Sequence, residues 1–312
     1  MNQCKRLLTE VGKSFVGKDE VALKVLLTIL AGGHILLEDI PGVGKTTLAL
    51  AFSNAMALQY KRIQFTPDVL PSDITGFSIY RKETGKMEYQ PGAAVCNLLL
   101  ADEINRASSR TQSALLETME EGSVTVDGIT HMLPQPFTVI ATQNPAGSAG
   151  TQLLPNSQLD RFMMCFSIGY PQPAQEIEML RRKHGNSEME PVRRVIDAET
   201  LLAMREEVSQ VFIHDEIYDY IIRIACATRE HPLIEQGISP RCSVALAALS
   251  QAAAWVQGRD YVVPADLQYI LPDSTAHRIL LTSQARLQGE EARHVMLDVL
   301  KQVPVPKLRA VR

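Results

Sequence analysis

The chain has 312 residues, of which 46% are hydrophobic and 21% charged, with a net charge of −4 at pH 7. That composition is far from a disordered chain and fills about two domains, while the acidic balance argues against a sequence-independent grip on DNA or RNA. No apolar run reaches the ~18 residues a membrane span needs, and the first ten residues lack the apolar stretch of a signal peptide. Cys4, Cys96, Cys165, Cys226 and Cys242 show no CxxC spacing and read as reduced, mostly buried thiols of a cytoplasmic protein. The seven histidines form no ligand-spaced pair, so no protein-held metal is expected.

The first predicted strand covers 34–38. It runs into Glu38-Asp39-Ile40-Pro41-Gly42-Val43-Gly44-Lys45-Thr46-Thr47, which opens a predicted helix over 46–58. Strand, glycine loop and helix in that order form a phosphate-binding loop. Gly42 and Gly44 let the backbone curl so that its N–H groups face phosphate oxygens, and the helix start adds partial positive charge. Lys45 can reach the β and γ phosphates, Thr46 can ligate Mg²⁺, and Thr47 sits where a hydroxyl meets the α-phosphate. The stricter pattern has glycine where this chain has Asp39.

A second strand is predicted over 61–66. A hairpin follows over 77–90, turning at Lys82-Glu83-Thr84-Gly85. The apolar strand 96–101 ends in Asp102-Glu103. There Asp102 would hold the Mg²⁺ shell and Glu103 would orient and polarise the attacking water. A helix over 109–121 is predicted from a Ser109-x-x-Gln112 capping box, apolar Leu115, Leu116 and Met119, and Gly122 at its stop. Asp127-Gly128 turns a second hairpin over 123–133.

The strand 137–142 ends at Asn144, a polar amide beside the acidic strand and suited to sensing the γ-phosphate and the water, with Thr142 and Gln143 as neighbours. Arg161 follows in Leu159-Asp160-Arg161-Phe162. It reads either as an arginine reaching a neighbouring subunit's nucleotide or as an ion pair with Asp160, and Arg106 and Arg110 are rivals for the first role. The last strand is 164–168.

Tyr170-Pro171-Gln172-Pro173 marks a boundary beyond which the strands stop. Helices are predicted over 175–183, 198–210, 216–229, 241–256 and 265–270. Arg241, at the start of one of them, either closes onto the γ-phosphate and couples lid angle to nucleotide state or stays solvated. The expected division is an α/β nucleotide-binding core over 1–172, with five mostly parallel strands and two hairpin insertions. A small all-helical lid over 173–303 and a flexible tail over 304–312 complete it.

Taken together these residues resemble the AAA+ ATPases, and specifically the MoxR family, over nearly the whole chain. The most specific stretches are 33–46, 65–76, 101–107, 111–122 and 141–145. Asp39 in place of the first loop glycine is common in that family; Ala107-Ser108-Ser109 departs from it where prolines are usual. The resemblance implies that Val16 and Gly17 lie near adenine, that residues Pro41 to Thr47 hold ATP, and that Asn144 is sensor 1. It also implies that Arg161 is the arginine finger and Arg241 is sensor 2. It implies ring oligomers, often hexamers, with both hairpins facing the central pore or one rim. The implied work is chaperoning, often with a partner carrying a von Willebrand factor type A domain. The alternative reading is a chelatase-like or helicase-related motor, acting on metal-cofactor insertion or on DNA.

Overall fold

The computed structural model describes residues 2–40, 42–144, 154–184 and 191–307. Pro41 and the end of the expected tail, 308–312, lie outside them.

Two helices, α1 (Asn2–Ser14) and α2 (Asp19–Leu30), precede the first strand, β1 (Ile35–Glu38). Then come α3 (Lys45–Ala55), β2 (Tyr60–Gln64), the short α4 (Pro71–Thr75), and a hairpin of β3 (Gly76–Arg81) and β4 (Lys86–Pro91). β5 (Leu98–Asp102), a 3-10 turn at Ile104–Arg106 and α5 (Ser109–Glu121) lead to a second hairpin, β6 (Ser123–Val126) and β7 (Ile129–Met132). β8 (Thr138–Gln143), α6 (Asn156–Leu159) and β9 (Met164–Phe166) complete the α/β part. After it run α7 (Pro173–His184), α8 (Ala198–Ser209), α9 (Asp215–Glu230), β10 (Ile234–Gln236), α10 (Pro240–Val256) and α11 (Pro264–Thr275). β11 (Leu280–Leu281), α12 (Ser283–Leu287) and α13 (Ala292–Gln302) end the series.

Among the described residues the main sheet has five strands in the order β2-β5-β8-β1-β9, every neighbouring pair parallel. Its central strands are continuous apolar runs because both faces are covered. Side chains alternate between those faces. Ile35, Leu37, Leu98, Leu100 and Ile140 join one buried cluster with α1, α2 and α3. Leu36, Leu99, Ala101, Val139 and Ala141 join the other with Leu115, Leu116 and Met119 of α5.

The expected capping box of α5 does not form, and the cap lies one residue earlier. Ser108 is the N-cap, its hydroxyl accepting the Thr111 N–H at 3.3 Å. Gln112 turns inward and donates to the carbonyls of Ile104 and Ala107 at 3.1 and 3.2 Å. The hairpins form as expected. Tyr89 of one stacks on His131 of the other, ring centroids 3.9 Å apart.

The lid is helical except for a small antiparallel ribbon of β10 and β11, which corrects the all-helical expectation. These strands are two or three residues long, too short to carry an alternating pattern. The lid shares the larger buried cluster with α1 to α3, so no apolar boundary separates it from the core. Polar bolts fix it as well. Lys24 of α2 meets Asp273 of α11 at 2.8 Å, and Asp273, 2% exposed, also pairs with Arg293 of α13. Arg205 of α8 donates to the Ile29 carbonyl at 2.8 Å and to Thr138 Oγ1 at 3.0 Å. Removing one partner of such a buried ion pair typically costs about 3–5 kcal/mol.

Candidate active site

The glycine loop sits between the C-terminal end of β1 and the first turn of α3. Gly42 and Gly44 have φ of +89° and +99°, the left-handed region that L side chains rarely adopt. Lys45 is 8% exposed and its ammonium donates to the Asp39 carbonyl at 2.6 Å, bridging the loop. Burial pushes its pKa down; the carboxylates of Asp39, Asp102 and Glu103 oppose that shift, so the lysine lies within their electrostatic reach. Thr46 is half-buried and Thr47 exposed at the helix start.

Asp39 does not face a phosphate position. Its carboxylate accepts from Ser167 Oγ at 2.6 Å, the Ile168 N–H at 2.5 Å and the Gly169 N–H at 3.0 Å. The residue that departs from the strict loop pattern is therefore a clasp between the loop and the segment after β9. Val16 and Gly17 lie at the same junction. Gln175 of α7 donates to the Gly17 carbonyl at 2.8 Å, and Lys18 donates to the carbonyls of Ile168 and Tyr170 at 2.8 and 2.7 Å. A Cβ on Gly17 would fall 2.1 Å from the Gln175 amide, so this contact needs glycine.

The acids follow β5. Asp102 accepts from Thr142 Oγ1 at 2.6 Å and pairs with Arg62 at 2.7 Å. Glu103 has φ +59° and ψ +47°, a left-handed turn that is uncommon for a residue with a side chain. Its N–H donates to the same Thr142 hydroxyl at 2.8 Å. Its carboxylate accepts from Asn144 Nδ2 at 3.1 Å and Gln64 Nε2 at 3.0 Å, and pairs with Arg106 at 3.0 Å. Asn105 in turn holds the backbone of Asn144, donating to its carbonyl at 3.2 Å. Asn144 Oδ1 is buried and has no hydrogen-bond partner among the described residues. Lys45, Asp102, Glu103 and Asn144 thus converge at the C-terminal edge of the sheet.

Arg161 and Arg241 do not join them. They converge on Glu120, in the last turn of α5: Arg161 meets Oε2 at 3.2 Å and Arg241 meets Oε1. With Asp160 and Arg278 they line a cavity of about 340 Å³ whose wall includes Gly32, Gly33 and His34, ahead of β1, and Met163, ahead of β9. These positions mark the N-terminal edge of the parallel strands. The length of β1, roughly 13 Å at 3.3 Å per residue, stands between this cavity and the glycine loop. Arg241, expected either to close on a γ-phosphate or to stay solvated, stands at the edge away from the glycine loop and pairs there with Glu120. Arg161 forms its ion pair with Glu120, while Asp160 accepts from Ser239 Oγ at 2.9–3.0 Å. Arg106, the rival finger, is paired with Glu103 of its own chain.

The sequence carries no local signal for Arg62, Gln64, Ser239 or Arg278, and Asn105 and Glu120 stand out only as members of the family-like stretches 101–107 and 111–122. Each acts through a partner distant in sequence or on another element, and no short spacing encodes that.

The sequence family described as the ATPase family associated with various cellular activities (AAA) matches residues 34–164, and the AAA lid domain matches residues 226–299. The chain is 45% identical to the uncharacterised protein YeaC of Bacillus subtilis, over 98% of this chain and 95% of that one. It is 38% identical to the chaperone MoxR1 of Mycobacterium tuberculosis, over 98% and 83% of the two chains. A crystal structure of a Cytophaga hutchinsonii protein assigned as an ATPase superposes with a TM-score of 0.92 at 38% identity, covering 98% of this chain and 96% of that one.

Proposed function

The chain belongs to the MoxR family of AAA+ ATPases, and on that premise we propose that it is a Mg²⁺-dependent chaperone ATPase. In this reading it works as a ring, with six copies as the expected number, and remodels or matures a protein partner in the cytoplasm. The nucleotide-binding unit runs over 1–172 and the lid over 173–303.

The observation that carries this reading is the distance between the two halves of the hydrolytic set. The loop, the acids and Asn144 occupy one edge of the sheet, and Arg161 and Arg241 the other. An arginine that supports hydrolysis from there must serve the nucleotide of an adjacent copy, so turnover requires assembly.

Within one copy, the amides of residues Gly42 to Thr46 would cradle the triphosphate. Lys45 would exchange its Asp39 carbonyl for phosphate oxygens. Thr46 and Asp102 would hold Mg²⁺, which supplies positive charge between the β and γ phosphates. Glu103, anchored by Asn144 and Gln64, would align the attacking water, and the unpartnered Asn144 Oδ1 offers that water an acceptor. Val16 and Gly17 would border adenine.

The hairpins favour a protein client over a nucleic acid. They present Phe77, Tyr80, Met87, Ile129 and Met132 to solvent, apolar groups suited to unfolded or loosely folded polypeptide. The charges near the first tip are mixed, with Arg81 paired to Glu88, where phosphate tracking needs a basic surplus. A partner with a von Willebrand factor type A domain is the client or adaptor this reading expects.

Turnover per copy, measured across protein concentration alongside particle mass by light scattering, tests the reading. Turnover should rise as the mass rises to a closed assembly. Full activity from a monomer would overturn it. Co-purification from the native source, with partners identified by mass, tests the client.

A further inference from the structure

Two guanidinium groups, one from the α/β part and one from the lid, end on a single carboxylate. Arg161 takes one oxygen of Glu120 and Arg241 the other. Glu120 itself sits where an acid is unfavourable, in the last turn of a helix whose carbonyls already present negative charge. The two arginines offset that cost. The carboxylate in turn offsets part of the repulsion between the two cations.

The backbones under these three side chains are fixed to one another. His34, half-buried just ahead of β1, bonds the Met119 carbonyl at 3.0 Å beside Glu120, and accepts the Val139 N–H at 3.0 Å. Asp160, directly before Arg161, accepts from Ser239 Oγ, and Ser239 is the N-cap of α10, two residues before Arg241. Arg278 donates to the Phe162 carbonyl, directly after Arg161, at 2.6 Å. A chance surface ion pair has no such frame beneath it.

The cavity these groups line also keeps an excess of positive charge: Arg161, Arg241 and Arg278 face Glu120 and Asp160. Arg278 is 5% exposed, and its Nη1 has no hydrogen-bond partner among the described residues, with Asp160 Oδ1 at 3.4 Å. Three guanidinium groups against two carboxylates leave this edge with a surplus of one positive charge.

We propose that Glu120 is a positioning residue for trans hydrolysis: it holds Arg161 and Arg241 as one two-arginine unit, aimed at the terminal phosphate of a nucleotide bound by the adjacent copy. The inference rests on the reading that these arginines act between copies. Glu120 touches no reacting atom. It acts by presenting both guanidinium groups at a fixed separation, with Asp160, Ser239 and Arg278 as the frame. A displaced charge a fraction of an ångström from its target loses much of its effect on a transition state.

The test uses the assembled full-length protein. Glu120→Gln keeps the shape and removes the charge. Its affinity for ATP should match wild type, since its own glycine loop is intact, while kcat falls about 10- to 100-fold and KM stays within about two-fold. Glu120→Asp, with charge but shorter reach, should lose turnover too. In an Arg161→Ala/Arg241→Ala background the Glu120→Gln change should cost nothing further, because both residues it positions are gone. Mixing decides between copies. Glu120→Gln copies have intact acids, and Glu103→Gln copies have intact arginines, so an equal mixture should turn over ATP faster than either alone.

Wild-type or raised turnover in both Glu120 variants overturns the proposal, the raised case marking Glu120 as a plug and not a support. So does failure of the mixture while Arg161→Ala mixed with Glu103→Gln succeeds. If that second mixture also fails, the arginines do not act between copies, and the reading beneath the proposal falls with it.

Discussion

The Thr142 hydroxyl donates to Asp102 Oδ1 at 2.6 Å. The same oxygen accepts the Glu103 N–H at 2.8 Å. One hydroxyl from β8 therefore sets the Asp102 carboxylate and the left-handed turn that carries the Glu103 carboxylate. A strained backbone of this kind persists only where its surroundings dictate it.

Thr142→Val tests that coupling. Valine fills the same space but leaves the Glu103 N–H without its acceptor. The protein should lose about 1–3 kcal/mol of stability and most of its turnover, while ATP binding is retained. Denaturant melts, nucleotide titration and steady-state turnover separate these effects. Wild-type turnover would mean that Glu103 holds its turn without Thr142.

Lys45 and Glu103 should fail in different ways. Lys45→Ala removes the cation of the loop and should abolish measurable ATP binding in a titration. Glu103→Gln should bind ATP as wild type does, with turnover reduced by about 10²- to 10⁴-fold, the range for a lost general base. Near wild-type turnover in the glutamine variant would remove Glu103 from its role.

Asp39→Gly restores the stricter loop pattern, and it should harm the protein. The change strands Ser167 Oγ and the N–H groups of Ile168 and Gly169, which the carboxylate now satisfies. A loss of about 2–4 kcal/mol is expected for a buried charged acceptor of this kind, with weaker ATP binding. Unchanged melting and affinity would show that the clasp is dispensable.

His34 gives the protein a pH dependence of known sign. Burial pushes its pKa down from 6.5 to about 4. Between those values the unfolded chain takes up a proton that the folded chain refuses. Stability is therefore complete above pH 6.5 and falls as the pH drops towards 4, by on the order of 3 kcal/mol. His277, pushed down by burial to about 3, adds to the slope in the same direction. Glutamine at position 34 can donate to Met119 and accept from Val139 without titrating. His34→Gln should therefore flatten the dependence in urea melts at pH 7 and pH 5; an unchanged slope would assign it elsewhere.

The parts legible in the sequence are those written at short range. The glycine loop, the acidic strand end and the two hairpins are each a few consecutive residues whose backbone demands name their structure. All five strands of the sheet were placed within two residues of where they fall. Helices α1 and α2 went unread, although α1 packs on α3, because no nucleotide residue drew attention to them. The arginine unit was illegible for a stronger reason. Glu120 and Arg241 are 121 positions apart, and their meeting depends on where the lid docks. That docking is set by Asp273, Arg205 and Ser239, polar side chains whose partners no periodicity announces.

The bolts between lid and core also constrain what kind of machine this is. A jaw needs a slack joint between its halves, and here Lys24 with Asp273 beside the end of β9, together with Arg205 on the Ile29 carbonyl at the sheet's base, ties that joint at two levels. Tied in this way, the two parts of one chain are expected to move as one body. If copies assemble as proposed, a nucleotide-driven stroke is expected as movement of one copy against the next: a probe pair placed within a chain should stay still while a pair placed across the seam moves.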